Sequence, residues 1–173
     1  ILSSKNLILN VDIGNLGLGS NTIHFLDLFS WFSNSNHLEL FGYLDKKILS
    51  NKRGNEFLEF SGIIFAKTKN GAILTVTSHS HQNTPLTLSF VNKDYKVLIN
   101  ETNSNLTIVK GTRKLDYKNN FVSDISSQIV MDILKHDSCL LPSLENSYFF
   151  HVELFKIFNQ HLKKNTNQLC PIT

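Results

Sequence analysis

Proline, cysteine, tryptophan and arginine are all scarce in this chain: 3, 2, 1 and 2 residues respectively out of 173. So few prolines exclude a Pro-rich linker or a collagen-like repeat. The two cysteines, Cys139 and Cys170, are far apart and form no C-x-x-C pair. That excludes a disulfide-stapled miniprotein, a cysteine zinc site and a dithiol redox motif, and it suits a reducing, cytoplasmic compartment. Long apolar runs are missing as well. Ile63-Ile64-Phe65-Ala66 is typical of the longest, far short of the roughly twenty residues that cross a bilayer. The only arginines are Arg53 and Arg113, and the lysines are scattered, with no run longer than Lys46-Lys47 or Lys163-Lys164. Base reading and phosphate clamping favour clustered arginine. The net charge of +3 therefore does not point to nucleic acid.

What remains is 41% hydrophobic and 18% charged, enough for one well-cored domain over residues 1–173. Leu7-Ile8-Leu9-Asn10-Val11 suits a short strand. A loop with Gly14, Gly17 and Gly19 follows, and such glycine density implies tight turns and close backbone approach to something. The spacing then predicts a helix from about Thr22 to Phe32, capped by Ser20 or Asn21 and apolar at Ile23, Leu26, Phe29 and Phe32. Ser61–Lys67 and Ala72–His79 flank Lys69-Asn70-Gly71, a strong hairpin signal. Alternation through Leu86, Leu88 and Phe90, then Tyr95–Asn100 and Asn105–Val109, continues an antiparallel meander. One face of that sheet is apolar and the other is small, hydroxylated and uncharged. Two helices close the chain. Asp124–His136 carries Ile125, Ile129, Ile133 and Leu134, and Leu144 to about Lys164 carries Leu144, Tyr148, Val152, Phe155, Phe158 and Leu162.

Helix, sheet, helices in that order give an α+β fold with helices packed on one face of an open, largely antiparallel sheet. Gly14, Gly17 and Gly19 do not have G-x-G-x-x-G spacing, and no P-loop is present, so the chain does not hold a dinucleotide by the usual mechanism.

Ser20-Asn21-Thr22-Ile23-His24-Phe25-Leu26-Asp27 is the strongest constellation. A histidine in the first turn of a helix lies near the positive end of its dipole, which favours the neutral imidazole as proton acceptor. Asp27, three residues on, shares its face. On spacing alone two readings stand: a catalytic base, or a satisfied, half-buried histidine near a cap. His79 and His81 share a strand face and could chelate with His24, but no carboxylate joins them in sequence and no metal is expected. His151 is read as a core-edge residue.

The run Asn21-Thr-Ile-His24-Phe-Leu-Asp27-Leu-Phe-Ser-Trp31 resembles the signature helix of the glucose–fructose oxidoreductase/inositol dehydrogenase/MocA (Gfo/Idh/MocA) family, His-x-x-Asp-hydrophobic-x-x-Trp after a glycine-containing loop. The Lys69-Asn70-Gly71-Ala72 hairpin resembles the family's x-Asn-Gly-Ala element. Leu141-Pro142-Ser143-Leu144-Glu145-Asn146-Ser147, followed by a helix with His151, resembles the terminal helix of members in sugar-nucleotide and surface-polysaccharide pathways. The resemblance implies the C-terminal domain of such an oxidoreductase. An N-terminal Rossmann domain, not present in this chain, would bind NAD or NADP, as the opening Ile1 also suggests.

By the same resemblance His24 is the catalytic histidine, Ser20 and Asn21 contact substrate, and a Glu-Lys-Pro lysine belongs to the other domain. The substrate would be a sugar, cyclitol or sugar nucleotide, and subunits would pair through the open sheet as a dimer or larger homo-oligomer. Ser20 stands where many family dehydrogenases carry aspartate, and Ile13 precedes Gly14 where paired glycines are usual. A non-catalytic sugar-sensing or protein-interaction role on the same fold is the alternative.

Overall fold

The computed structural model describes residues 6–51, 53–80, 84–101, 105–110, 113–118, 122–139, 141–165 and 169–170. The first strand, β1 (Ile8–Asp12), leads into helix α1 (Leu18–Ser33). Strands β2 (Glu39–Leu44), β3 (Leu49–Asn51), β4 (Gly54–Glu59), β5 (Gly62–Lys67) and β6 (Ile73–Ser78) follow. Next come β7 (Thr87–Val91), β8 (Lys96–Asn100), β9 (Asn105–Lys110) and β10 (Arg113–Lys118), then helices α2 (Val122–His136) and α3 (Leu144–Asn165). Eight strands form one sheet in the order β10-β9-β8-β7-β1-β6-β5-β2, while β3 and β4 make a separate ribbon. Only β1 and β6 run parallel within the large sheet; its other pairs are antiparallel.

The expected α+β plan is the observed one, with differences in extent. Strands β2, β3, β4 and β10 lie outside the predicted meander, because 39–44 and 54–59 mix Gly, Glu and aromatics without clean alternation. The Asn70-Gly71 hairpin forms as expected, with Gly71 at φ +87°. Asn70 also donates from Nδ2 to the Ser33 carbonyl at 3.3 Å, tying the hairpin to the end of α1.

Alternation decides which sheet face closes. Leu9 and Val11, Ile64 and Ala66, Leu74 and Val76, and Leu88 and Phe90 point to the helices and are buried. They meet Leu18, Phe25, Leu26 and Phe29 of α1 and Phe150, Leu154, Phe158 and Leu162 of α3. Phe60, just after β4, stacks on Phe158 with centroids 4.6 Å apart and planes within 3°. Buried aromatic pairs of this kind add about 0.5–1.5 kcal/mol beyond their area.

The stripe expected on α3 is shifted. Phe158 and Leu162 are buried as predicted, but Leu144 and Tyr148 are exposed, and the strict i+4 row Phe150, Leu154, Phe158, Leu162 faces inward instead. Of the expected apolar side of α2, Ile125, Ile133 and Leu134 are exposed and Ile129 is half-buried.

The open face also differs from expectation. On β6 and β7 it carries Thr75, Thr77, Thr87 and Ser89, as predicted. On β5 and β2 it is apolar, with Phe41 paired to Phe65 and Tyr43 to Ile63 in register. Tyr43 is 80% exposed and Phe41 57%.

Candidate functional site

Helix α1 starts at Leu18, four residues before the predicted start, because its amino end is capped from another strand rather than by Ser20 or Asn21. Gly17 occupies the cap position and offers no side chain. Instead the carboxylate of Glu59, at the end of β4, accepts the backbone N–H groups of Gly19 at 2.9 Å and Ser20 at 3.0 Å. It also accepts the Ser20 hydroxyl, and the Asn51 amide at 3.2 Å. The Leu18 N–H is taken by the Phe60 carbonyl at 2.9 Å. Two adjacent residues thus satisfy the donors that open a helix, with a negative charge where the dipole favours one.

This explains the glycines. A Cβ on Gly17 would overlap the Glu59 carboxylate, and one on Gly19 would lie 3.1 Å from Oε2 and 3.3 Å from the Leu58 carbonyl. The close approach inferred from the glycine spacing is to the protein itself: Gly17 and Gly19 to Glu59, and Gly14, at φ +58°, to the Thr84 carbonyl. Glu59 was not legible as a partner; it is a single acidic residue between Leu58 and Phe60, forty residues from the helix it caps.

The early start moves His24 from the first turn to the second. Dipole effects fade beyond the first turn, so the helix end does not act on it as expected. Ser20 points its hydroxyl at Glu59, and Asn21 donates from Nδ2 to the Gly17 carbonyl at 2.7 Å. His24 is exposed and lies on the outward face of α1 with Asp27 and Trp31. His79 is elsewhere, paired with Asp12 at 3.5 Å on the open-sheet side; His81 lies outside the described residues. Among the described residues no group of three or more His, Cys, Asp or Glu is gathered that could hold a metal.

His24, Asp27 and Trp31 line one wall of a cleft of about 800 Å³. Leu28, Ser30, Asn34 and Asn36 continue that wall. Leu141, Pro142, Ser143, Asn146 and Phe150, from the approach to α3 and its first turns, form the other. The walls are stapled by the Ser147 hydroxyl, which donates to Asp27 Oδ2 at 3.2 Å. Asp27 Oδ1 is buried without a hydrogen-bond partner. Burial pushes the Asp27 carboxyl above the usual range, and the Ser147 hydrogen bond, then His151 and His24, pull it part of the way back. His151 is half-buried behind the cleft, its Nδ1 donating to the Ser147 carbonyl at 2.8 Å. That bond leaves Nε2 to meet other groups. Cys170 comes near Glu59, and burial followed by that carboxylate pushes its thiol up to about 11.

No family model and no curated protein matches this sequence. Solved structures do match. A dehydrogenase (MviM) from Clostridium difficile is 17% identical with a TM-score of 0.62, over 90% of this chain and 55% of its own. UDP-N-acetylglucosamine 3-dehydrogenase GnnA from Acidithiobacillus ferrooxidans is 9% identical with a TM-score of 0.61, over 90% and 53%. KijD10, a 3-ketoreductase from Actinomadura kijaniata solved with TDP-benzene and NADP, is 11% identical with a TM-score of 0.56, over 84% and 50%. The chain spans about half the length of these structures. At such identities the likeness is one of fold: this chain has the open-sheet α+β fold of the C-terminal domain of Gfo/Idh/MocA oxidoreductases.

Two expectations follow from the site. Glu59→Ala strips a buried, charge-assisted cap and should lower the urea-unfolding free energy by about 2–3 kcal/mol, with Glu59→Gln losing less. A loss within error for the alanine variant would contradict the capping role. Asp27, with its raised carboxyl, holds a proton more tightly folded than unfolded. Its contribution to stability is therefore present in acid and lost as pH rises through the raised value. Asp27→Asn should accordingly gain on the wild type in urea midpoint between about pH 3 and about pH 7. An unchanged or opposite trend would count against the buried carboxyl.

Proposed function

We propose that this chain is the substrate-binding and oligomerisation half of an NAD(P)-dependent sugar or sugar-nucleotide dehydrogenase. The observation that carries the reading is His24, a solvent-reached imidazole lining a cleft whose walls mix apolar side chains with a few amides and hydroxyls, on the outward face of α1. The fold supports it, as do the activities of two similar structures, the UDP-N-acetylglucosamine 3-dehydrogenase GnnA and the 3-ketoreductase KijD10.

The dinucleotide does not fit this chain's own residues. The one glycine-rich helix start, the natural seat for a pyrophosphate, is filled by the Glu59 carboxylate. NAD or NADP would therefore be held by a separate Rossmann domain, and it would supply the hydride chemistry. The task left to this chain is the proton. As a carbinol is oxidised its hydroxyl proton must leave, and in this reading His24 takes it. Asp27 sits one helical turn further on, joined to α3 through Ser147, and fixes the wall on which His24 stands. Ser20 and Asn21 do not line the cleft, and the Ser20 hydroxyl and an Asn21 amide N–H already donate to Glu59 and Gly17, so the cleft residues Asn34, Asn36 and Asn146 are the stronger substrate contacts.

Pairing of subunits uses the other side of the sheet. Phe41, Tyr43, Ile63 and Phe65 form an uncovered apolar patch on β2 and β5, of the kind that marks protein contacts. Among the described residues no helix is long and apolar enough to cross a membrane.

In the protein joined to its nucleotide-binding domain, His24→Asn should lower turnover of NAD(P)-linked sugar oxidation by about 10²–10⁴-fold with no change in melting temperature. Retained turnover would remove His24 from catalysis, and absence of nicotinamide binding to the joined protein would favour the sensing alternative. Tyr43→Glu, at a position 80% exposed, should leave the fold intact and shift sedimentation toward monomer. A wild-type chain that sediments as a monomer at high concentration would refute pairing through this face.

A further inference from the structure

The cleft beside His24 is long, ringed and almost uncharged, and this combination selects among ligands. From His24 to Asn34 the helix α1 wall extends about 15 Å at the standard rise. Its 800 Å³ exceeds what one sugar ring fills. Trp31, 64% exposed, stands midway with its indole available to a ring face. Trp31 is held from behind by an edge contact to Phe32, with centroids 4.8 Å apart. Around it the polar lining is neutral: the amides of Asn34, Asn36 and Asn146, and the hydroxyls of Ser30 and Ser143. Ser30 donates to Asn36 Oδ1 at 3.3 Å, which orients that amide so that its Nδ2 is left for another acceptor.

Among the described residues lining the cleft none is lysine or arginine, and the single carboxyl is Asp27. A nucleoside diphosphate brought here would lose hydration from two negative charges, find no cation and meet Asp27, a combination that burial makes costly. A carbohydrate meets the opposite situation. Its C–H faces pack on an amphipathic indole, and its hydroxyls both donate to and accept from amides.

We infer that this cleft binds an uncharged glycan of at least two rings, one ring at His24 and Asp27 and the next against Trp31 between Asn34, Asn36 and Asn146. The assignment rests on the dehydrogenase reading for the role of His24, and it narrows that reading. The portion of substrate held by this chain is a neutral saccharide, and any phosphate lies outside the cleft.

Trp31 is the only tryptophan of the chain, so intrinsic emission reports this cleft alone. The experiment titrates the chain with a panel of neutral disaccharides spanning gluco-, galacto-, manno- and N-acetylglucosamine linkages, with their monosaccharides and with UDP. The expected result is a saturable blue shift with at least one disaccharide, at lower concentration than with its monosaccharide, and none with UDP. Asn146→Ala and, as a second exposed-wall variant, Asn36→Ala should each raise the dissociation constant by about threefold to tenfold.

A shift driven by UDP, or none with any disaccharide up to its solubility limit, would overturn the assignment. So would emission already blue-shifted and shielded from iodide in the unliganded chain, since the cleft would then be covered by protein. The two readings fail separately. Disaccharide binding without nicotinamide-linked turnover would defeat the dehydrogenase and keep the cleft, whereas turnover of a sugar nucleotide with Trp31 emission unmoved would do the reverse.

Discussion

The carboxylate of Glu59 is the joint on which the rest of the molecule turns. It is 6% exposed, and an anion so buried is tolerated only where hydrogen bonds replace its lost hydration. The opening N–H groups of α1, the Ser20 hydroxyl and the Asn51 amide replace it. The next residue, Phe60, gives its carbonyl to Leu18 and its ring to Phe158. Within two residues, therefore, the β3–β4 ribbon is fastened to the start of α1 and to the middle of α3.

That joint sets the rotational register of α1, and register decides which side chains face outward. A helix beginning at Leu18 and buried along Leu18, Thr22, Phe25, Leu26 and Phe29 must turn its other side to solvent. His24, Asp27 and Trp31, at i, i+3 and i+7, fall together on that side. Farther along, the walls separate where the approach to α3 passes Asn34 and Asn36, and the space between them is the cleft. The Ser147–Asp27 hydrogen bond limits the separation on one side of this opening, and the Asn70–Ser33 bond fixes the far end of α1 to the sheet.

Much of this plan was legible in the sequence, for reasons that can be named. The β5–β6 hairpin announced itself through Asn70-Gly71, and β6 and β7 through strict alternation, because both signals are local. The pairing of His24 with Asp27 on one helix face was equally local. The helix start was not, since its cap came from forty residues away and no rule of neighbouring residues anticipates Glu59. The mixed character of the open face was hidden for a related reason: β2 sits beside β5 only by register, so Phe41 and Tyr43 gave no strand signal of their own. The inward turn of α3 was misjudged at its beginning. Leu144 and Tyr148 extend the apolar periodicity beyond the point where there is a sheet or helix to receive it.

That overrun bears on what the cleft is for. A helix whose apolar row outlasts its packing loses burial it could have had. Leu144 and Tyr148 stay uncovered, as does the neighbouring Leu141, which lines the cleft together with Trp31. Asp27 is a second local cost, one carboxyl oxygen buried without a partner. Stability alone would favour filling the opening with a larger side chain and replacing the carboxyl with an amide. Sites that bind or react are where folds carry such unsatisfied groups. Here the unpartnered carboxyl oxygen of Asp27 and the exposed Trp31 and Leu141 line one cleft, together with His24. The uncovered surfaces of the molecule therefore fall in two places, along α1 and the approach to α3, and along β2 and β5.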